Sequence, residues 1–226
     1  MNVLGFDTST AATSACVLRD DGAAFEFVPL VEALGEPPAH ARELLPEAAA
    51  CLGRAGLTFE QVGMIAVGVG PGTFTGLRIG VATARGLAHA HGIEVRPVSS
   101  LAALAEGIEA PLRLALIDAK RGEVFAALYD DGSERIAPFA AAPEALIERL
   151  GAEGLQGDES LLAAGDGSLR FREVLEARGV AVAAPDSASH VVRALHLCRL
   201  AGQTSPVPAD AVLPHYLRDP DAKPSS

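Results

Sequence analysis

An aspartate followed by three hydroxyls, Asp7-Thr8-Ser9-Thr10, closes the first apolar run of the chain. Phosphoryl-transfer proteins place a carboxylate at such a strand end to hold Mg2+, and neighbouring hydroxyls to hold phosphate. The same four residues also fit an Asx/ST turn, with side chains bonded to local backbone. A second such place is Gly165-Asp166-Gly167, between an apolar run and a helical pattern. Glycines there could admit an adenine or ribose; equally, Asp166 or Ser168 could cap the next helix. Asp7, Thr8, Ser9, Thr10, Gly165, Asp166 and Gly167 are the candidate nucleotide-binding residues.

Between these lies GVGPGTFTGLRIG, residues 68–80, directly after another apolar run. A phosphate loop of the GxxxxGK[ST] type needs its lysine to neutralise phosphate charge, and no lysine occurs before Lys120. A dinucleotide fingerprint needs GxGxxG, whereas Gly70, Gly72 and Gly76 are spaced GxGxxxG. A third reading needs no ligand. Gly76, Gly80, Ala84 and Ala88 recur every four residues and form a ridge of minimal side chains on one helix face, flanked by Leu77, Val81 and Leu87. Such a ridge suits close packing against a partner helix, or against the protein's own sheet.

Other chemistries find little support. The six histidines form neither HxxxH nor HExxH, and Cys16, Cys51 and Cys198 are too far apart for a CxxC knuckle. No GxSxG elbow occurs. Ser99-Ser100 precedes an apolar helix, where a serine most often serves as a cap. The expectation is therefore no catalytic residue and no metal ligand. A net charge of −11 with no basic run argues against direct binding of nucleic acid, so any contact with RNA would come through another subunit. No signal pattern and no apolar run of membrane length is evident, which leads to a cytoplasmic expectation.

The elements that must hold these residues follow from periodicity. Short strands at 3–7, 14–19 and 24–28 suggest an antiparallel meander. A helix from His40 repeats apolar residues at i, i+3, i+4 and i+7, including Leu44, with Pro46 expected near its first turns or at a kink. Then come a strand at 64–69, a helix at 75–91 and a strand at 94–98. The order repeats: strands at 112–118, 124–129 and 135–139, a helix at 143–150, a strand at 161–164, a helix at 169–178 and a strand at 180–183. A last helix is expected over 187–202. These two βββαβα halves predict a duplicated α/β architecture. The expected division is an N-terminal lobe at 1–101 and a C-terminal lobe at 102–218, to which a loose tail at 219–226 is added. The last helix is placed so that it can return to the first lobe. Aromatic residues make up only 4% of the chain, so the core must be built from small aliphatic side chains.

GFDTST, GVGPGTFTGLRIGVATARGLA, VSSLAALA, IDAKRGEVFAALYD and PHYLR follow the pattern of the bacterial TsaB (YeaZ) proteins, over nearly the whole chain. The resemblance implies a two-lobe actin-like ATPase (ASKHA, ribonuclease H-like) fold and a part in making N6-threonylcarbamoyladenosine in tRNA. It implies a non-catalytic partner of the TsaD transferase: a subunit that pairs with TsaD or with itself, is joined by TsaE, and meets tRNA only indirectly. TsaD's metal-binding histidine pair aligns with Ser100 and Leu104 here, and its SGGHT-like phosphate turn is replaced by the hairpin at 118–123. Asp7 survives from the first phosphate motif, so weak ATP or ADP binding is compatible with the resemblance, and no cofactor is required. The alternatives are a small ATP-dependent kinase of the same superfamily and a metal-dependent peptidase; the peptidase lacks the histidines it would need. Family members dock through N-lobe helices, which places the partner interface at Leu44, Leu45, Gly76, Leu77, Gly80, Val81, Ala84, Leu87 and Ala88.

Overall fold

Two five-stranded sheets of the same topology build the protein. In the computed structural model, which describes residues 1–218, the first sheet comprises β1 (Val3–Asp7), β2 (Ser14–Leu18), β3 (Ala24–Phe27), β4 (Met64–Gly68) and β5 (Glu94–Val98) in the order β3-β2-β1-β4-β5. The second comprises β6 (Leu112–Lys120), β7 (Glu123–Asp130), β8 (Ser133–Ala141), β9 (Leu161–Ala164) and β10 (Ala181–Val182) in the order β8-β7-β6-β9-β10. In each, three antiparallel strands are extended by two parallel ones. The duplicated meander-plus-crossover order expected from the sequence is therefore the observed fold. The expected tail at 219–226 lies outside the described residues.

Three apolar layers separate the sheets and helices. Leu4 and Phe6 face α1 (His40–Ala55) and α2 (Phe74–His91) on the outside of the first sheet. Val3, on the opposite face, joins α3 (Ser100–Ala105), α7 (Ala194–Ala201) and the inner face of the second sheet. Leu114 and Leu116 of β6 point outward to α4 (Pro143–Ala152) and α6 (Arg172–Glu176), whereas Ala115 and Ile117 point inward. Strands buried on both faces read as continuous apolar runs with the two layers interleaved at period two. The central layer is rich in alanine, and Gly5 lets α7 approach β1: a Cβ there would lie 2.8 Å from the Ala194 carbonyl oxygen. Small side chains thus permit close packing where aromatic bulk is scarce.

Two helices differ from expectation. The segment read as one helix at 169–178 is α5 (Asp166–Arg170) and α6, broken at Phe171 (φ −112°, ψ 22°). Arg172 anchors the break by donating to the carbonyls of Val182 and Ala183. The last helix starts at Ala194 rather than 187, because Ala188–His190 forms a 3-10 turn and Val191 is extended. Buried His190 fixes that turn: its Nε2 lies 2.9 Å from the Ala184 carbonyl oxygen. Pro46 sits within α1 on its exposed side, and the helix runs on to Ala55.

Candidate functional site: the β1–β2 turn

Asp7 ends β1 and is 2% exposed. Its Oδ1 accepts from the Ser9 backbone N–H at 2.7 Å and from the Ser9 hydroxyl, while Oδ2 accepts from the Ser100 hydroxyl at 2.7 Å. Ser100 Oγ in turn accepts from the Gly70 N–H at 3.2 Å. Burial pushes the Asp7 carboxyl above its ordinary pKa, and the Ser9 and Ser100 hydrogen bonds work against that rise. The Thr8 hydroxyl donates to the Gly76 carbonyl at 2.7 Å. His40, at the start of α1, holds the far side of the turn: Nε2 lies 3.0 Å from the Thr10 carbonyl oxygen and Nδ1 2.8 Å from Thr13 Oγ1. The turn is an Asx/ST structure enclosed by its own chain.

The glycine-rich loop encloses it. The Thr73 N–H donates to the Ser9 carbonyl at 2.7 Å. A Cβ at Gly68 would meet Asp7 Oδ2 at 1.8 Å, one at Gly72 the Ser9 carbonyl oxygen at 2.4 Å, and one at Gly76 the Thr8 carbonyl oxygen at 1.9 Å. Gly72 and Gly76 are needed because two backbone segments touch, and Gly68 because the Asp7 carboxylate lies against it.

This geometry corrects most of the expected partner interface. Leu44, Gly76, Leu77, Gly80, Val81, Ala84 and Ala88 are buried within the protomer. Gly80 faces Thr8, where a Cβ would stand 2.5 Å from Oγ1, and Ala84 and Ala88 pack into the layer against the first sheet. The small-residue ridge serves the protein's own turn and sheet, because the helix must lie flat on strands that carry Thr8. Of the nine residues, Leu45 is 50% exposed and Leu87 is half-buried. Exposed on these helices are instead Ala41, Leu45 and Ala49 on α1 and Ala82 and Gly86 on α2, with Ile79 partly buried beside them. A groove of about 780 Å3 runs between the starts of the two helices, past Ala41, Thr75 and Ile79.

Glu47, also on α1, has one carboxylate oxygen buried without a partner, and burial beside Glu43 pushes its pKa to about 7 from 4.5. The folded pKa is raised, so the unfolded chain ionises first and stability declines as pH climbs from about 4.5 to about 7. Glu47→Gln is expected to raise stability at pH 8 by on the order of 1 kcal/mol, solvent screening having reduced the effect at this partly exposed side chain. At pH 5 the difference should largely vanish. Denaturant melts of both proteins at the two pH values check this, and a gap independent of pH would contradict it.

The second candidate cluster sits elsewhere. Gly165 (φ +112°) is pressed against β6, where a Cβ would fall 2.0 Å from the Leu116 carbonyl oxygen and 2.7 Å from Leu104 Cδ2. Asp166 Oδ1 accepts from the Asp118 N–H at 2.9 Å, and burial pushes this carboxyl to about 6. No side-chain cap is made at the start of α5; the Ser168 hydroxyl donates to the Gly165 carbonyl instead. No hydrogen bond among the described residues links this cluster to residues 7–10.

Sequence reasoning missed two features. Ser99 caps α3 as expected, accepting from the Ala102 N–H, but Ser100 turns inward to Asp7 and Leu104 is fully buried. The hairpin at 118–123 also centres on an unexpected ion cluster. Burial alone would raise the Asp118 pKa, but Lys120 Nζ and Arg170 Nη1, each 2.8 Å from Oδ2, hold it below the ordinary value. Arg170 is brought there by α5 from 52 residues away in sequence, a distance no local pattern bridges. Among the described residues no group of three or more His, Cys, Asp or Glu side chains could hold a metal ion, and no helix is long and apolar enough to cross a membrane.

Two sheets of one topology and a phosphate-type turn enclosed by its own glycine loop make this a duplicated actin-like α/β protein. The family model described as tRNA N6-adenosine threonylcarbamoyltransferase (TsaD) matches residues 37–174. YeaZ from Pseudomonas aeruginosa superposes with a TM-score of 0.73 at 31% identity, over 96% of this chain and 99% of that one. The chain belongs to this TsaD-like family and, within it, to the TsaB (YeaZ) group. The tRNA threonylcarbamoyladenosine biosynthesis protein TsaB of Escherichia coli is 36% identical over 57% of this chain and 55% of its own length. An uncharacterised Mycobacterium leprae protein is 38% identical over 62% of this chain, a match that spans 39% of that protein.

Proposed function

We propose that this chain is a non-catalytic scaffold of tRNA threonylcarbamoyladenosine synthesis that binds and activates a TsaD-type transferase. The observation that carries this reading is the state of Asp7. Both of its oxygens are taken by Ser9 and Ser100, the Gly68 backbone packs directly against it, and Gly72 packs on Ser9. Holding a hydrated Mg2+ there would require these hydrogen bonds to open and the loop to lift. The position that could have carried a metal histidine carries Ser100, which satisfies the same carboxylate. The family model and the Escherichia coli relative's name supply the pathway.

In this reading the outward faces of α1 and α2 pair with the transferase or with a second copy of this chain, and a TsaE-type ATPase joins the pair. The net charge of −11 suits a subunit that leaves tRNA contact to its partners in the cytoplasm. No cofactor is required. Reconstitution tests this: omission of the chain from a reaction with TsaC, TsaD and TsaE should abolish the modified adenosine, and undiminished product would reject the role. Calorimetry of the isolated chain with millimolar Mg·ATP should show no binding. Turnover of ATP that disappears in Asp7→Ala would establish the kinase-like alternative instead.

A further inference from the structure

A cavity of about 760 Å3 opens on the far side of the central layer, between α7, the residues that follow α3 and the end of β10. Glu106, Glu109, Arg193, His196 and Arg199 all line it. Arg193, at the N-cap of α7, and His196 and Arg199 within the helix recur every three residues, so they fall on neighbouring turns. The two glutamates come from the α3 side, so the cavity has a basic wall and an acidic wall.

His196 is the buried element of this site. It is 5% exposed, and its Nδ1 lies 3.0 Å from the Ala103 carbonyl oxygen, a contact that requires the proton on Nδ1. Burial, with Arg193 and Arg199 nearby, holds the imidazole below its ordinary pKa, so Nε2 presents a lone pair. Nε2 has no hydrogen-bond partner among the described residues. Arg193 is already paired with Glu26, and Glu106 with Arg113 at 3.4 Å. The side chains of Arg199 and Glu109 make no hydrogen bond or ion pair among the described residues. Around one cavity thus stand an exposed guanidinium and an exposed carboxylate with no protein partner, and an imidazole acceptor open to the cavity.

That set selects its ligand. A simple anion would meet the two glutamates, and a simple cation the two arginines. A molecule that carries both charges offers a partner to Arg199, Glu109 and the His196 Nε2 together. We infer that this cavity binds a small zwitterion of the α-amino-acid type, with its carboxylate on Arg199 and its ammonium shared by Glu109 and the His196 Nε2 lone pair. The inference stands apart from partner docking, which uses the opposite face of the first sheet.

Imidazole NMR of the full chain tests it, the His196 resonance being assigned by its loss in His196→Gln. Free α-amino acids are titrated against N-acetylglycine, glycinamide and inorganic phosphate. The expected result is a saturable shift of His196 with at least one free amino acid, more than about tenfold weaker with both capped forms, since each lacks one charge-assisted contact. Arg199→Ala and Glu109→Gln should each weaken it by about the same factor, while melting like the parent. No shift with any free amino acid up to about 20 mM would overturn the inference. So would phosphate binding as tightly as the amino acids, or amino-acid binding indifferent to both substitutions.

Discussion

Gly76→Ala is expected to destabilise the protein by about 3 kcal/mol or more, although alanine is the better helix former. The added Cβ would stand 1.9 Å from the Thr8 carbonyl oxygen and 2.6 Å from Thr73 Oγ1, both on the segments that enclose Asp7. Neither α2 nor the β1–β2 turn can retreat, because Thr8 also donates to the Gly76 carbonyl and the helix is packed on the first sheet. Gly86→Ala on the same helix provides the control. Nothing lies within 4 Å of its Cβ, so it should gain about 0.5–1 kcal/mol from helix propensity alone. Two glycine-to-alanine changes on one helix should therefore move the melting temperature in opposite directions, the first by roughly 6–12 °C. A Gly76→Ala protein that melts with the parent would mean that α2 does not lie on the turn as described. The same crowding disqualifies Gly80 and Ala84 as probes of association, since substitutions there report on folding.

Substitutions on the outward face should separate association from folding. Under the docking role proposed above, Leu45→Arg or Ala82→Arg is expected to weaken self-association and capture of a TsaD-type transferase by more than about tenfold, because a charge would be buried in an apolar helix contact. The protomer should be left within about 0.5 kcal/mol of the parent, as both side chains project into solvent. Light scattering after size exclusion gives the oligomeric state, and pull-down with the transferase gives the heteromeric contact. If both variants associate like the parent while melting normally, the outward face of α1 and α2 is not the docking surface.

Much of the architecture was legible because strand and helix periodicities are local properties. The βββαβα order and its repetition followed from apolar runs, turn residues and i, i+3, i+4 spacing, and the sheets obey them strand for strand. Misread elements were those governed by distant contacts. The chain breaks at Phe171 where Arg172 reaches two carbonyls beside β10, and α7 is delayed because His190 is held by a turn at 183–184. Propensity has no term for either tether.

That the loop at 68–80 lacks the lysine of a phosphate loop is readable from residue identity alone. The sequence also determined that Gly76, Gly80, Ala84 and Ala88 share one helix face, because the helical period imposes that. Which body meets that face was decided by tertiary structure alone. A ridge of small residues states only that something comes close, and in this fold the neighbour is the chain's own Thr8 and first sheet. In the same way an aspartate at a strand end is compatible with a metal or with a closed turn. Ser100, from 93 residues away, donates to one of its oxygens and closes the turn in this structure.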